Sequence, residues 1–142
     1  MTAAMFAAVF AALYVAHSVG DHWVQTHGQA CGKGAPTRAG RMACARHVAT
    51  LTLTKMIAIG LVMLVTGLRL DGPWLCAGLL VDAASHYWAD RRTTLASLAD
   101  RLGKGDFYRL GAGHLGSGAY ALDQSWHHLW LFIAALIIAG GA

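Results

Sequence analysis

Charge is scarce in this chain, and one acidic residue type is missing. Only 13% of the 142 residues are charged, and all seven acidic residues are aspartate. With 56% hydrophobic residues and a mean hydropathy of +0.47, the composition excludes an ordinary soluble domain. The three cysteines, Cys31, Cys44 and Cys76, are odd in number and lack zinc-ribbon spacing, so no disulfide framework is implied. A basic n-region is absent before the apolar opening at residues 1–16, which therefore reads as a retained transmembrane helix and not a signal peptide. The net charge of +4 would suit a nucleic-acid binder, but the basic residues gather in two loops, as membrane topology requires, and no nucleic-acid partner is expected.

What is present is four apolar segments, at about residues 3–25, 43–67, 73–90 and 120–140. Each approaches the ~20 residues that cross a ~30 Å hydrocarbon core. They predict an all-α integral membrane protein, one domain over residues 1–142, with four transmembrane helices in an antiparallel bundle. Pro73 fits the first turn of the third helix. Loop 26–46 carries Lys33, Arg38, Arg41 and Arg46, and loop 91–118 carries Arg91, Arg92, Arg101, Lys104 and Arg109. Positive-inside bias puts both loops in the cytoplasm and both termini outside, in a multi-pass protein of the cell (inner) membrane. Leu95, Leu98 and Leu102 recur at helical spacing, so Thr94 is expected to cap a short amphipathic helix on the membrane surface. The glycine-rich remainder, 103–118, reads as a mobile loop whose spacing matches no standard phosphate cradle.

Three polar pairs interrupt the apolar segments: His17–Asp21, His86–Asp90 and Asp123–His127. Each is four residues apart and so lies on one helix face. The third is reversed, as a helix running the opposite way requires if histidines and aspartates are to match in depth. In this topology all three pairs lie at the cytoplasmic side, with the histidines about one turn, ~5–6 Å, deeper than the aspartates. His47, at the start of the second helix, can join them. Intramembrane ionisable residues are costly and are usually functional or paired. Four imidazoles and three carboxylates suit one or two divalent ions, zinc foremost, with manganese, iron or nickel also compatible. Carboxylate–histidine hydrogen bonds would fix the imidazole tautomers. A structural polar network, a proton or ion pathway and a haem site are the competing readings.

Lys55 and Asp82 lie two turns from His47 and Asp90, ~12 Å deeper, where they could neutralise each other or serve proton transfer or a substrate head group. His22 and His128 point about 100° away from the motif residues and read as interfacial. His27 and His114 read as solvated loop residues, Gln25 and Gln124 as donors to a ligand or substrate, and Cys44 as a weak ligand. Trp23, Trp74, Trp88 and Trp126 sit near segment ends, as an interfacial belt would.

The runs HSVGDHWVQ (17–25), SHYWAD (85–90) and LDQSWHH (122–128), with His47, resemble domain-of-unknown-function family 3307. Its members are small bacterial and phage membrane proteins with H-x3-D-x3-Q, H, H-x3-D and D-Q-x2-H motifs. The resemblance covers nearly the whole chain and carries over His17, Asp21, Gln25, His47, His86, Asp90, Asp123, Gln124 and His127. It does not include Asp82 or the glycine-rich loop, and it implies no reaction. A looser likeness of motif style is to inner-membrane metal-dependent hydrolases.

The combined expectation is a membrane-embedded metal-dependent hydrolase working near the cytoplasmic interface. Its ligands would come from His17, Asp21, His47, His86, Asp90, Asp123 and His127, with Asp21, Asp90 or His47 as base. Its partners would be the bilayer and a lipid head group or lipid-linked phosphate. Gly- and Ala-rich faces would also permit a homo-oligomer. The alternatives are a non-enzymatic metal- or proton-binding transporter, and an adaptor whose His/Asp set is structural.

Overall fold

The computed structural model describes residues 2–111 and 117–141, and every regular element among them is helical. Helix α1 (Ala3–Val19) runs into a π-helical turn (Gly20–Val24), followed by α2 (His27–Gly32), α3 (Arg38–Thr66), α4 (Gly72–Asp90), α5 (Thr93–Arg101), α6 (Gly105–Arg109) and α7 (Gly118–Gly140). The long helices pack α1 on α3, α3 on α4, α4 on α7 and α7 on α1, which closes a four-helix ring. α4 and α7 approach closely because Gly78 faces Ile138 and the Ala134 carbonyl where a Cβ would collide.

The interior has two poles. At one, Val9, Leu13, Ile59, Leu79, Leu131 and Ile138 form an apolar core, with Phe6, Phe10 and Phe132 packed edge to face beside it. At the other, His17, His47, His86, Asp90 and His127 are buried. The outside is apolar around all four long helices: Val15 on α1, Leu64 and Val65 on α3, Leu80 on α4 and Leu129 on α7 are exposed, Leu64 and Val65 by 80% and 82%. Buried charge inside and aliphatic surface outside reverse the distribution of a soluble domain. By length and composition, Ala3–Val24 and Arg38–Thr66 suffice to cross a membrane. α4 and α7 do not meet that measure, because polar residues such as Asp82, His86, Asp123 and His127 break their apolar runs.

Residues 26–46 are not a loop. Thr26 and Gln29 form a reciprocal capping box that starts α2, and Thr37 caps α3 through the Gly40 amide, five residues before the apolar run suggests. In residues 91–118, Arg92 rather than Thr94 takes the N-cap position of α5, and Thr94 donates its hydroxyl to the Trp88 carbonyl. α5 turns Leu95 and Ala99 into the protein while Leu102 stays exposed, so its apolar stripe is spent mainly on packing. Of the glycine-rich stretch expected to be mobile, 105–109 form α6, whereas 112–116, with His114, lie outside the described residues. Trp23 and Trp74 are exposed, as a belt predicts, but Trp88 and Trp126 are half-buried and pack on each other at 4.8 Å between centroids.

Candidate metal centre

His17 closes α1 with Asp21 in the π-helical turn, His47 lies in the third turn of α3 and not at its start as expected, His86 and Asp90 end α4, and Asp123 and His127 lie in the first three turns of α7. Their side chains meet, so α1 and α4 run toward the centre while α3 and α7 run away from it. This antiparallel arrangement is what the reversed Asp123–His127 order requires.

The π-helical turn aims Asp21. A π turn widens the backbone locally, and such turns recur at functional sites. Here it presses Gly20 against the Leu51 side chain of α3, where a Cβ would overlap Leu51 Cδ1. That close approach brings Asp21 Oδ1 to 2.9 Å from His47 Nε2.

The nitrogens and carboxylate oxygens interleave. His47 Nε2 and His86 Nε2 are 3.1 Å apart. Asp21 Oδ1 lies 2.9 Å from the first and 3.5 Å from the second. Across the same edge, Asp90 Oδ2 lies 3.4 Å from His47 Nε2 and 3.3 Å from His86 Nε2. The two triangles that share this edge each have a circumscribed radius of about 1.9 Å, just under the ~2.0–2.1 Å of zinc–nitrogen and zinc–carboxylate bonds. Asp21 with His47 and His86, or Asp90 with the same two histidines, would hold an ion at this edge. His17 Nε2 joins from one side, 3.6 Å from Asp21 Oδ2. His127 Nε2 joins from the other, 3.4 Å from Asp123 Oδ1 and 3.9 Å from Asp90 Oδ1. His17–Asp21–His86, His47–His86–Asp90 and Asp90–Asp123–His127 are thus three overlapping groups that could hold a metal ion.

These atoms are in ion-pair contact but not in well-aligned hydrogen bonds. Asp21 Oδ1 and Asp90 Oδ2 are buried without a hydrogen-bond partner, although imidazole nitrogens stand within 3.5 Å. Buried polar atoms normally find a partner. The Nδ1 atoms of His17, His47, His86 and His127 are buried and unpartnered too. The aspartates therefore meet the histidines on their Nε2 side, among the ligand atoms, and not behind them on the Nδ1 side where tautomer-fixing partners usually sit. The one-turn offset between histidines and aspartates along the helices disappears at the level of the side-chain tips.

Gln124 bridges the halves, with Oε1 3.3 Å from His17 Nε2 and Nε2 donating to Asp21 and Asp123 at 3.3 and 3.4 Å. Gln25 lines the adjoining cavity. Other expected residues stay apart. His22 binds the Ser18 carbonyl and the Tyr120 hydroxyl, His128 packs on Tyr14, His27 starts α2 beside Cys31, and Cys44 faces the Tyr87 carbonyl. Lys55 and Asp82 pair at 2.5 Å, both fully or almost fully buried. Sequence reasoning missed Lys33, whose Nζ lies 2.7 Å from Asp90 Oδ1. Its motif context is silent, because a fold-back of the α2–α3 link delivers it.

A cavity of about 600 Å³ opens onto the centre. Asp21, Asp90 and Asp123 line it together with Lys33, Arg92 and Tyr120, so carboxylates and cations face one space. No protein-family model, curated protein or solved structure matches this chain.

Proposed function

We propose that the chain is a four-span membrane protein of the inner membrane that binds a divalent ion, zinc foremost, at its His/Asp centre and uses it to hydrolyse an amphipathic substrate at the cytoplasmic face. The carrying observation is the pair of unpartnered, buried carboxylate oxygens, Asp21 Oδ1 and Asp90 Oδ2, converging with His47 Nε2 and His86 Nε2 at bonding-polyhedron distances. The aliphatic outer surface of α4 and α7 supports four spans instead of two. The motif set supports membership of domain-of-unknown-function family 3307.

In this reading the ion supplies a water of lowered pKa. Asp21, His47 and His86 would hold the ion, with Asp90 as a further ligand. Asp123 would serve as the general base, since its side chain is 25% exposed against 7% for Asp21 and 1% for Asp90, and it faces the cavity. Lys33 and Arg92 in the cavity wall favour an anionic group, such as the phosphate of a lipid head group or lipid-linked phosphate. Elemental analysis of detergent-purified protein tests the core of this reading. Stoichiometric metal that is lost in His86→Ala is the expected result, and metal-free protein would refute it.

A second reading, a proton or ion pathway, is favoured by the Lys55–Asp82 pair on the apolar side of the centre. It requires ion flux into liposomes that disappears in Lys55→Met.

A further inference from the structure

The number of ions is open in the metal-binding reading above, on which this inference rests, and Lys33 bears on it. The Lys33 side chain is only 11% exposed, although it leaves the short link between α2 and α3. The end of α4 fastens that link. The Arg91 guanidinium donates to the carbonyls of Lys33 and Ala35, and Arg92 donates to the Ala30 carbonyl at 2.8 Å. Gly34 lies against the aliphatic stem of Arg92, where a Cβ would be crowded. Arg92 adopts φ 59°, the one non-glycine residue with positive φ among those described. A strained backbone persists only where its surroundings over-determine it. The position of the ammonium is therefore built by the fold.

Asp90 is divided by this arrangement. Its Oδ2 faces His47 and His86, while its Oδ1 faces Lys33 at 2.7 Å. The Asp90–Asp123–His127 group thus already has a cation at its shared carboxylate. Asp21 has only histidine partners for its charge among the described residues. A divalent ion at the Asp90–Asp123–His127 group would sit beside the ammonium, in a buried setting where screening is weak.

We propose that Lys33 supplies the second positive charge of this centre: one divalent ion binds at Asp21, His47 and His86, and the ammonium on Asp90 Oδ1 keeps a second ion from binding at Asp90, Asp123 and His127. A two-metal site clamps an anion between two cations. Here the ion and the ammonium would form the clamp, which leaves Asp123, on the cavity wall, free to exchange protons with a substrate there.

Counting ions tests this. Full-length protein in detergent is loaded with excess zinc, desalted and analysed for zinc per chain. One zinc is expected for the wild type and for Lys33→Arg, two for Lys33→Gln, and one again for Lys33→Gln with Asp123→Asn. His127→Ala, which leaves Lys33 in place, keeps one. Two zincs in the wild type would overturn the lysine assignment and leave the metal reading standing, as would a folded Lys33→Gln that still binds one. Loss of the ion in His127→Ala places it at the wrong group and also overturns the proposal. No zinc in the wild type ends both readings.

Discussion

His47 Nε2 and His86 Nε2 face each other at 3.1 Å in the buried centre, and neither histidine has a partner at Nδ1. Two N–H groups cannot point at one another at that separation, so at least one nitrogen presents its lone pair. A divalent ion accepts lone pairs from both. Zinc binding should therefore stabilise the fold, by about 2.7 kcal/mol when free zinc is a hundredfold above Kd. Thermal unfolding in detergent should show a rise in Tm with zinc and its reversal by a chelator. The rise should shrink on acidification, because protons compete for the same nitrogens. An unchanged Tm would remove the centre's claim to a metal.

The contact between Gly20 and Leu51 predicts a coupled pair of substitutions. Gly20→Ala inserts a methyl where Leu51 Cδ1 lies and should cost about 1–3 kcal/mol. Leu51→Ala alone should also destabilise, by about 2–5 kcal/mol. The double variant should be more stable than the sum of the two losses predicts, since the shortened side chain makes room for the methyl. Additive losses in denaturant titrations would mean that the π-helical turn does not rest on this contact.

For Lys55 and Asp82, removal of one partner should be worse than removal of both. Lys55→Met leaves a carboxylate in the apolar interior and should cost about 3–5 kcal/mol. Adding Asp82→Leu should recover most of that loss. Unfolding in mixed micelles measures the difference, and a Lys55→Met protein as stable as wild type would show that the pair is solvated.

Arg91 should be irreplaceable by lysine. Its two guanidinium nitrogens reach two carbonyls, of Lys33 and Ala35, which one ammonium on a single stem does not reproduce. Arg91→Lys and Arg91→Ala should both speed tryptic cleavage after Lys33 and Arg38. Unchanged cleavage kinetics would detach the α2–α3 link from α4.

The pH dependence of the surface pair Asp100–Arg109 runs in a defined direction. The Arg109 guanidinium, 2.8 Å away, holds the Asp100 carboxyl below its usual range. Its contribution is present above the unfolded carboxyl pKa and is lost as pH falls through the lower folded value. Both side chains are about half exposed, so salt screens the effect. Asp100→Asn should leave the acid limb of the stability curve unchanged at moderate salt. A clear shift would reveal a coupling to α5 and α6 beyond this pair.

Much of the centre was legible because helical spacing is a local property. The four-residue intervals of His17–Asp21, His86–Asp90 and Asp123–His127 survive into the fold, and the reversed third pair marks an antiparallel neighbour. What could not be read depended on distant contacts. Asp21 owes its aim to a widened turn permitted by Gly20, and no periodicity announces such a turn. Lys33 looks like one loop cation among several until Arg91 folds its link onto α4. The early start of α3 was hidden because a polar first turn, capped by Thr37, carries no apolar signal. Thr94 looked like a cap but satisfies the Trp88 carbonyl, since the strained Arg92 already begins α5.

The Lys55–Asp82 pair also bears on how the protein is made. The partners sit on α3 and α4, joined by only residues 67–71, so they are the two arms of one hairpin. Entering a bilayer alone, each helix would carry a bare charge to mid-depth, at about 2.5–3.5 kcal/mol by insertion scales. Entering together, they carry a neutral pair. In the four-span reading proposed above, the hairpin is the unit of insertion, and α4, whose apolar run is broken by Asp82, would gain its place in the membrane from the lysine of the helix before it.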